Sequence, residues 1–266
     1  PSRGAPSLAY FEEGSHRPVP IAQCPLLAPR LNEAVTYFNQ MLAGSRAAAS
    51  QLQEIRLGLS VTTGEVVFQY VAEQCQRPQA DAWFARVRAG FAGVKGQVMI
   101  AGRGAQQRRW TEGETTLTEQ VGPLRLRCSD RSFVQANWKL NEALAATVIA
   151  WAVPPRALEA RTDAPLRVLE LYAGIGNFGL AIAREGALVT FVEGNASALA
   201  DARYNARVNH IGRCRFRSES AEAFLPGAAP GEYDLVLMDP PRTGLTKEAL
   251  AGLVHLKAGR ILYLSC

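Results

Sequence analysis

Along the first half of the chain the apolar positions change period several times, and each change marks an element. Leu31, Val35, Phe38 and Leu42 fall three and four residues apart, the spacing of one helical face, which predicts an amphipathic helix of about three turns ended by Gly44 and Ser45. Ile55, Leu57, Leu59 and Val61 then alternate, Thr62-Thr-Gly-Glu65 supplies a turn, and residues 67–71 run back, the pattern of a β-hairpin. Residues 80–91, with Trp83, Phe84, Val87 and Phe91, predict a helix laid on that hairpin. Short strands are expected at 97–101, 109–111, 115–119 and 123–128, in a polar, glycine-containing setting. Residues 1–29 hold six of the 15 prolines and little periodicity, so they read as an extended leading segment.

After Phe133 the pattern becomes an alternation of strand and helix. A helix over 138–151 is stopped by Pro154-Pro155, and 157–165 reads as a loop. Strand-like runs follow at 167–173, 188–193, 214–218, 234–239 and 260–265, most of them separated by helical segments near 178–185, 196–208 and 247–256. Such alternation implies right-handed crossovers and a parallel sheet covered on both faces. Two domains are therefore expected: a smaller α+β domain over residues 1–132 and an α/β domain over 133–266. No internal repeat is visible.

At 266 residues and 48% hydrophobic composition the chain is long enough to bury two cores. No run approaches 18 uninterrupted apolar residues and no signal-peptide pattern opens the chain, so no membrane span is expected and the cytoplasm is the expected compartment. Cys24, Cys75, Cys128, Cys214 and Cys266 show no CxxC spacing, and free thiols are expected. A net charge of +5 and a pI near 9.1 suit an acidic partner such as nucleic acid. The excess is carried by 25 arginines against four lysines in an alanine-rich chain, which a coding bias would also produce, so charge leaves both readings open. Arg103, Arg108 and Arg109 beside Trp110, with Arg125, Arg127 and Arg131, either track phosphates or form a solvated face.

The chemistry-bearing residues gather at predicted strand ends. Gly174-Ile-Gly-Asn-Phe-Gly179 follows a strand and opens a helix, and Glu193 ends the next strand 19 residues after the first glycine. Glycines there let the backbone approach a ligand, and the carboxylate accepts hydrogen bonds from a ribose diol. NAD and S-adenosylmethionine both carry that ribose, so the motif does not choose between them. Asp239-Pro-Pro-Arg242 ends the fourth strand. Amino-methyltransferases place an aromatic where Arg242 stands; arginine instead offers a planar cationic donor, suited to a carbonyl-rich pyrimidine or a phosphate. Cys266 follows Ser265 at the fifth strand end, where a thiolate would be a nucleophile in the same crevice and a buried thiol would be a small hydrophobe.

Phe133-Val-Gln-Ala-Asn137, Glu170-Leu-Tyr-Ala-Gly-Ile-Gly-Asn-Phe178, Asp239-Pro-Pro-Arg242-Thr-Gly and Ile261-Leu-Tyr-Leu-Ser-Cys266 together resemble the RNA 5-methyluridine methyltransferase family, over 133–266 and more weakly back to Ala22-Gln-Cys-Pro-Leu-Leu27. The resemblance implies a class I (Rossmann-like) methyltransferase sheet, truncated after strand five and preceded by the α+β domain. It implies S-adenosyl-L-methionine as cofactor, held by Gln135, Tyr172, Gly174, Gly176, Asn177, Glu193 and Asp239, with Arg242 toward substrate. It further implies that Cys266 adds to C6 of a uracil in ribosomal or transfer RNA, the ribosomal form being preferred for the context of Cys24. The target uridine would be extruded from its stack to reach that thiol.

Departures from the family pattern carry expectations too. The family's proton-abstracting glutamate lies downstream of the cysteine, so that base and the last strands of the sheet are expected to be missing and the chain to be an internal fragment. Cys24-Pro resembles the fourth ligand of an iron–sulfur cluster, but the other three would precede residue 1, so no metal is expected. No protein partner is indicated. Two other readings stay open: an NAD-linked oxidoreductase, which the glycine loop allows, and a cofactor- or RNA-binding piece that turns nothing over.

Overall fold

A computed structural model describes residues 6–44, 51–153 and 164–265, arranged in two compact units, Pro1–Leu117 and Thr118–Cys266. In the first unit, β1 (Ala9–Phe11) and β2 (Pro18–Pro20) form a small antiparallel pair within the segment expected to be merely extended. Pro18 and Pro20 fit there because a two-stranded ribbon has free edges that need no N–H donor. Helix α1 (Pro29–Ala43) starts on proline and turns Val35, Phe38 and Leu42 inward, as the periodicity requires. Next come β3 (Leu52–Leu59), β4 (Val66–Ala72), α2 (Arg77–Gly90), β5 (Val94–Ala101) and β6 (Arg108–Gly113), in a sheet of order β3-β4-β5-β6.

The hairpin is present as β3–β4, but β4 pairs parallel to β5, so α2 is the crossover between them. The core between helices and sheet is aromatic: Phe38 meets Phe68 edge to face at 5.1 Å, and Tyr70 meets Trp83 at 5.3 Å. Tyr70 donates to Gln97 Oε1 at 2.8 Å, and Gln97 donates to Phe84 O and Glu112, whereas the buried Trp83 Nε1 has no partner among the described residues.

The division between units falls inside β7 (Thr116–Val121), ahead of the 132/133 boundary expected from pattern. β8 (Leu124–Ser129) pairs with β7 and is tied to residues of a later helix, which places it in the second unit. The rest of that unit is α3 (Trp138–Ala152), β9 (Arg167–Leu171), α4 (Gly179–Arg184), β10 (Leu188–Val192), α5 (Ala196–Val208), β11 (Cys214–Arg217), α6 (Ala221–Phe224), β12 (Leu235–Met238), α7 (Lys247–Leu256) and β13 (Arg260–Tyr263). Pro154-Pro155 and most of the expected 157–165 loop lie outside the described residues.

The sheet runs β11-β10-β9-β12-β13 with every pair parallel. Val168 is opposite both Val189 and Leu235, so β9 is central and buried on both faces. The chain steps outward from β9 to β10 and β11, then returns to the other side for β12 and β13. That reversal opens a crevice above the carboxyl ends of β9 and β12. Among the described residues no helix is long and apolar enough to cross a membrane.

Candidate functional site

A cavity of about 630 Å³ lies at that reversal. Its floor is the end of β9. Beyond Leu171 the backbone turns through Tyr172, which has φ 57°, and then Gly174 and Gly176 at φ 53° and 82°. Left-handed geometry costs a glycine little, whereas at Tyr172 it is strained and persists only because the surroundings hold it. Tyr172 is anchored by its hydroxyl, 3.4 Å from Glu222 Oε1, and burial followed by the Glu222 charge pushes its pKa up to about 12.

Glu193 closes one side. Its Oε2 accepts from Gly174 N–H at 2.8 Å and its Oε1 from Asn195 N–H at 2.7 Å. A carboxylate offers roughly four lone-pair directions, so two remain for hydroxyl groups of a ligand. Asp239, half-buried on the opposite side beside Pro240 and Pro241, accepts weakly from Gln135 Nε2 at 3.4 Å; burial raises its pKa and the Gln135 contact partly offsets this. Asn177 and Asn141 exchange two side-chain hydrogen bonds, of 3.0 and 2.7 Å, across α3 and the glycine turn.

Of the residues singled out from sequence, Gln135, Tyr172, Gly174, Asn177, Glu193, Asp239 and Arg242 all line this cavity. Gly176 does not line it; a Cβ there would come within 2.9 Å of the Leu180 side chain, so its part is to shape the turn. Leu264 N–H donates to Met238 O at 2.9 Å, which carries the final strand alongside the approach to Asp239. Cys266 lies outside the described residues.

Two polar lining residues escaped the sequence reading as site members. Asn141 is one; a single polar position in a helix of otherwise ordinary pattern carries little signal. Glu170 is the other, and its signal was legible: a carboxylate within Val-Leu-Glu-Leu, a strand covered on both faces, is a group that needs a reason. Glu170 is 3% exposed; its Oε1 accepts from Gly179 N–H at 3.1 Å, and its Oε2 has no partner among the described residues. Burial, then the nearby Asp239 and Glu193 charges, raise its pKa to about 8, against the pull of the Gly179 hydrogen bond. Gly179 itself is dictated by this carboxyl: a Cβ would collide with Glu170 Oε2 and approach Phe191 to 2.7 Å.

The cavity therefore presents three carboxyl groups, a glycine turn and one exposed arginine. Such an arrangement favours a ligand that is cationic where it meets the acids and carries a diol near Glu193. The supporting frame is polar and buried. Asp201 on α5 accepts from Arg127 Nε at 2.9 Å, Ser129 N–H at 2.8 Å and Ser132 Oγ at 2.7 Å, and Asn205 donates to both Arg127 O and Ile175 O. Arg127 also stacks over Tyr204 at 3.9 Å, so the guanidinium considered for phosphate contact is committed within the fold. Trp110, considered for base stacking, packs against the core of the first unit.

A family model described as tRNA (Uracil-5-)-methyltransferase matches residues 8–266. A 23S rRNA (uracil(1939)-C(5))-methyltransferase RlmD of Methylococcus capsulatus is 30% identical over 276 residues, covering 99% of this chain and 58% of its own length. An uncharacterized RNA methyltransferase of Gloeobacter violaceus is 28% identical, covering 100% of this chain and likewise 58% of itself. The chain thus spans a little over half the length of these relatives. Among solved structures, the tRNA (uracil-54, C5)-methyltransferase of Pyrococcus abyssi, in complex with S-adenosyl-L-homocysteine, superposes with TM-score 0.70 at 22% identity, covering 96% of this chain and 62% of that one. That likeness shows that the chain shares the α/β fold of that methyltransferase.

Proposed function

The chain belongs to the tRNA (uracil-5-)-methyltransferase family, and on that premise we propose that it binds S-adenosylmethionine and serves methyl transfer to C5 of a uridine in RNA. Ribosomal RNA is the favoured substrate, because curated relatives covering nearly all of the chain are named as 23S rRNA enzymes. The observation that carries the reading is the acid-lined cavity at the sheet's reversal, with the glycine turn on one wall and Asp239-Pro-Pro-Arg242 on another.

The cavity fits the donor. Glu170 Oε2 is buried without a partner and Asp239 is only weakly engaged, which suits a ligand that brings an ammonium and a sulfonium. Glu193, held by two backbone N–H groups, is oriented to receive the ribose, and Tyr172, Gly174, Asn177 and Gln135 complete the wall. Bound there, the donor supplies a methyl group on a cationic sulfur, open to a carbon nucleophile. Uracil C5 is a poor nucleophile until a thiolate adds to C6, and we assign that thiolate to Cys266. The C5 enolate so formed takes the methyl group as the S–CH3 bond breaks and leaves a neutral thioether; transfer of the C5 proton to a base then restores the ring double bond and expels the thiolate. Arg242 supplies a fixed cationic fork for a uracil carbonyl or a phosphate.

Binding and trapping together test this. The chain is expected to bind S-adenosylhomocysteine saturably and NADH not at all, and in the presence of donor to form a covalent complex with 5-fluorouridine RNA that Cys266→Ser abolishes. NADH binding, or an adduct that survives Cys266→Ser, would overturn the assignment.

A further inference from the structure

The first unit holds a second concavity that the methyl-transfer site does not use. It lies at the carboxyl ends of the parallel strands β4 and β5, where the turn after β4, the 102–108 turn and the start of β3 enclose about 1400 Å³. Gly102 N–H donates to Ala72 O and Glu73 N–H to Gln51 O, so backbone bonds hold the three segments together.

Its lining is chemically unusual for this chain. Seven of the 13 glutamines stand on it. Gln76 and Gln79 are spent on capping α2, Gln76 N–H donating to Gln79 Oε1 at 2.8 Å. Among the described residues, the amides of Gln51, Gln53, Gln74, Gln106 and Gln107 have no hydrogen-bond partner. Arg103 and Arg108 stand beside them against one carboxylate, Glu73, so the groove is weakly positive.

An adjoining cleft of about 330 Å³ shares Gln51, Gln74 and Gln79 with the groove. Leu52, Met99 and Trp83 make its inner wall, so it is apolar inside and amide-rimmed at the mouth. A cleft of that size accepts one small planar ligand.

We infer that this groove binds a single-stranded stretch of the RNA substrate, with one unstacked base in the cleft. The inference rests on RNA being the substrate, as proposed above. Each primary amide offers two N–H donors and a carbonyl acceptor, the mixture that base edges present in return. Those edges are accessible in unpaired RNA and hidden in a duplex, and single-strand recognition combines them with an apolar seat for the base. Arg103 and Arg108 supply phosphate contacts without which amides alone would bind weakly.

Fluorescence anisotropy with a labelled mixed-sequence 12-nucleotide RNA, run on the whole chain, tests the assignment. Gln51→Ala/Gln53→Ala/Gln74→Ala/Gln106→Ala/Gln107→Ala is expected to weaken binding about tenfold or more. S-adenosylhomocysteine affinity is expected to stay unchanged, and an unaltered far-UV and near-UV circular dichroism spectrum shows the first unit of the variant to be folded. RNA carrying 4-thiouridine is expected to photocrosslink to peptides within residues 51–108. An RNA affinity within twofold of the parent, crosslinks confined to residues beyond 117, or equal binding of the same sequence as a duplex would each overturn the inference while leaving the methyl-transfer reading intact. A parent chain that binds S-adenosylhomocysteine but no RNA would overturn both.

Discussion

Glu170 sits where ionisation is costly, and that makes it the proton-responsive group of the cavity. Its pKa of about 8 leaves it largely protonated at neutral pH, chiefly because burial disfavours the anion. A cationic ligand reverses that balance, so binding should release a proton. S-adenosylhomocysteine, which keeps the ammonium, is expected to bind more tightly as pH rises through about 8, and Glu170→Gln should flatten that rise while its carbonyl still accepts from Gly179. The stability consequence has the opposite sign. An unfolded glutamate ionises near 4.5, whereas the folded one keeps its proton to about 8, so between those values the folded state binds more protons and stability falls with rising pH. Urea unfolding of the parent and of Glu170→Gln across this window reads it directly. A difference between the two that does not change with pH would refute the assignment. This residue also marks how far the site was legible. The glycine turn, Glu193 and Asp239 were readable as lining the cavity because strand ends and short motifs are local; Glu170 was legible as a carboxylate in a strand expected to be covered on both faces, but its orphaned oxygen depends on the packing of α4.

At the scale of elements, the five parallel strands of the second unit were readable because apolar runs of four or five residues alternate with helical stretches and fix both identity and direction. Pairing in the first unit was less so. Strand periodicity does not name a partner, and β5 joins β4 in parallel only because α2 crosses between them. The β1–β2 pair was hidden by its three-residue strands and its prolines. The position of β8 was set by contacts from far along the chain: Asn205 accepts from Arg127 N–H and Asp201 from Ser129 N–H, over 78 and 72 residues. One contact between elements is open to a direct check. α4 begins with its first residue pressed on the Glu170 carboxyl, so Gly179→Ala inserts a methyl against Glu170 and Phe191. Overpacking of that kind costs about 1–3 kcal/mol. Denaturant unfolding should show that loss together with weaker S-adenosylhomocysteine binding. Gly212→Ala, whose Cβ would meet nothing within 4 Å, should show neither.

Across the whole molecule the two concavities ask for opposite charges. The cavity of the second unit is walled by Glu170, Glu193 and Asp239, whereas the chain as a whole carries +5 and the glutamine groove of the first unit is flanked by Arg103 and Arg108. A cationic donor and a polyanionic substrate would thus be drawn to different places, and their binding should respond differently to salt. Neutralising a few phosphates releases counterions, and for about three such contacts on a single strand the affinity falls roughly tenfold or more between about 50 and 200 mM salt. A donor bound as proposed would meet its carboxylates at contact range, where salt screens poorly, so its affinity should change less than about twofold over the same range. Titrating RNA and S-adenosylhomocysteine in parallel at the two salt concentrations separates the cases. Equal salt sensitivity for both ligands would mean that the RNA is held by something other than its phosphates, and that the net charge of +5 has no part in substrate capture.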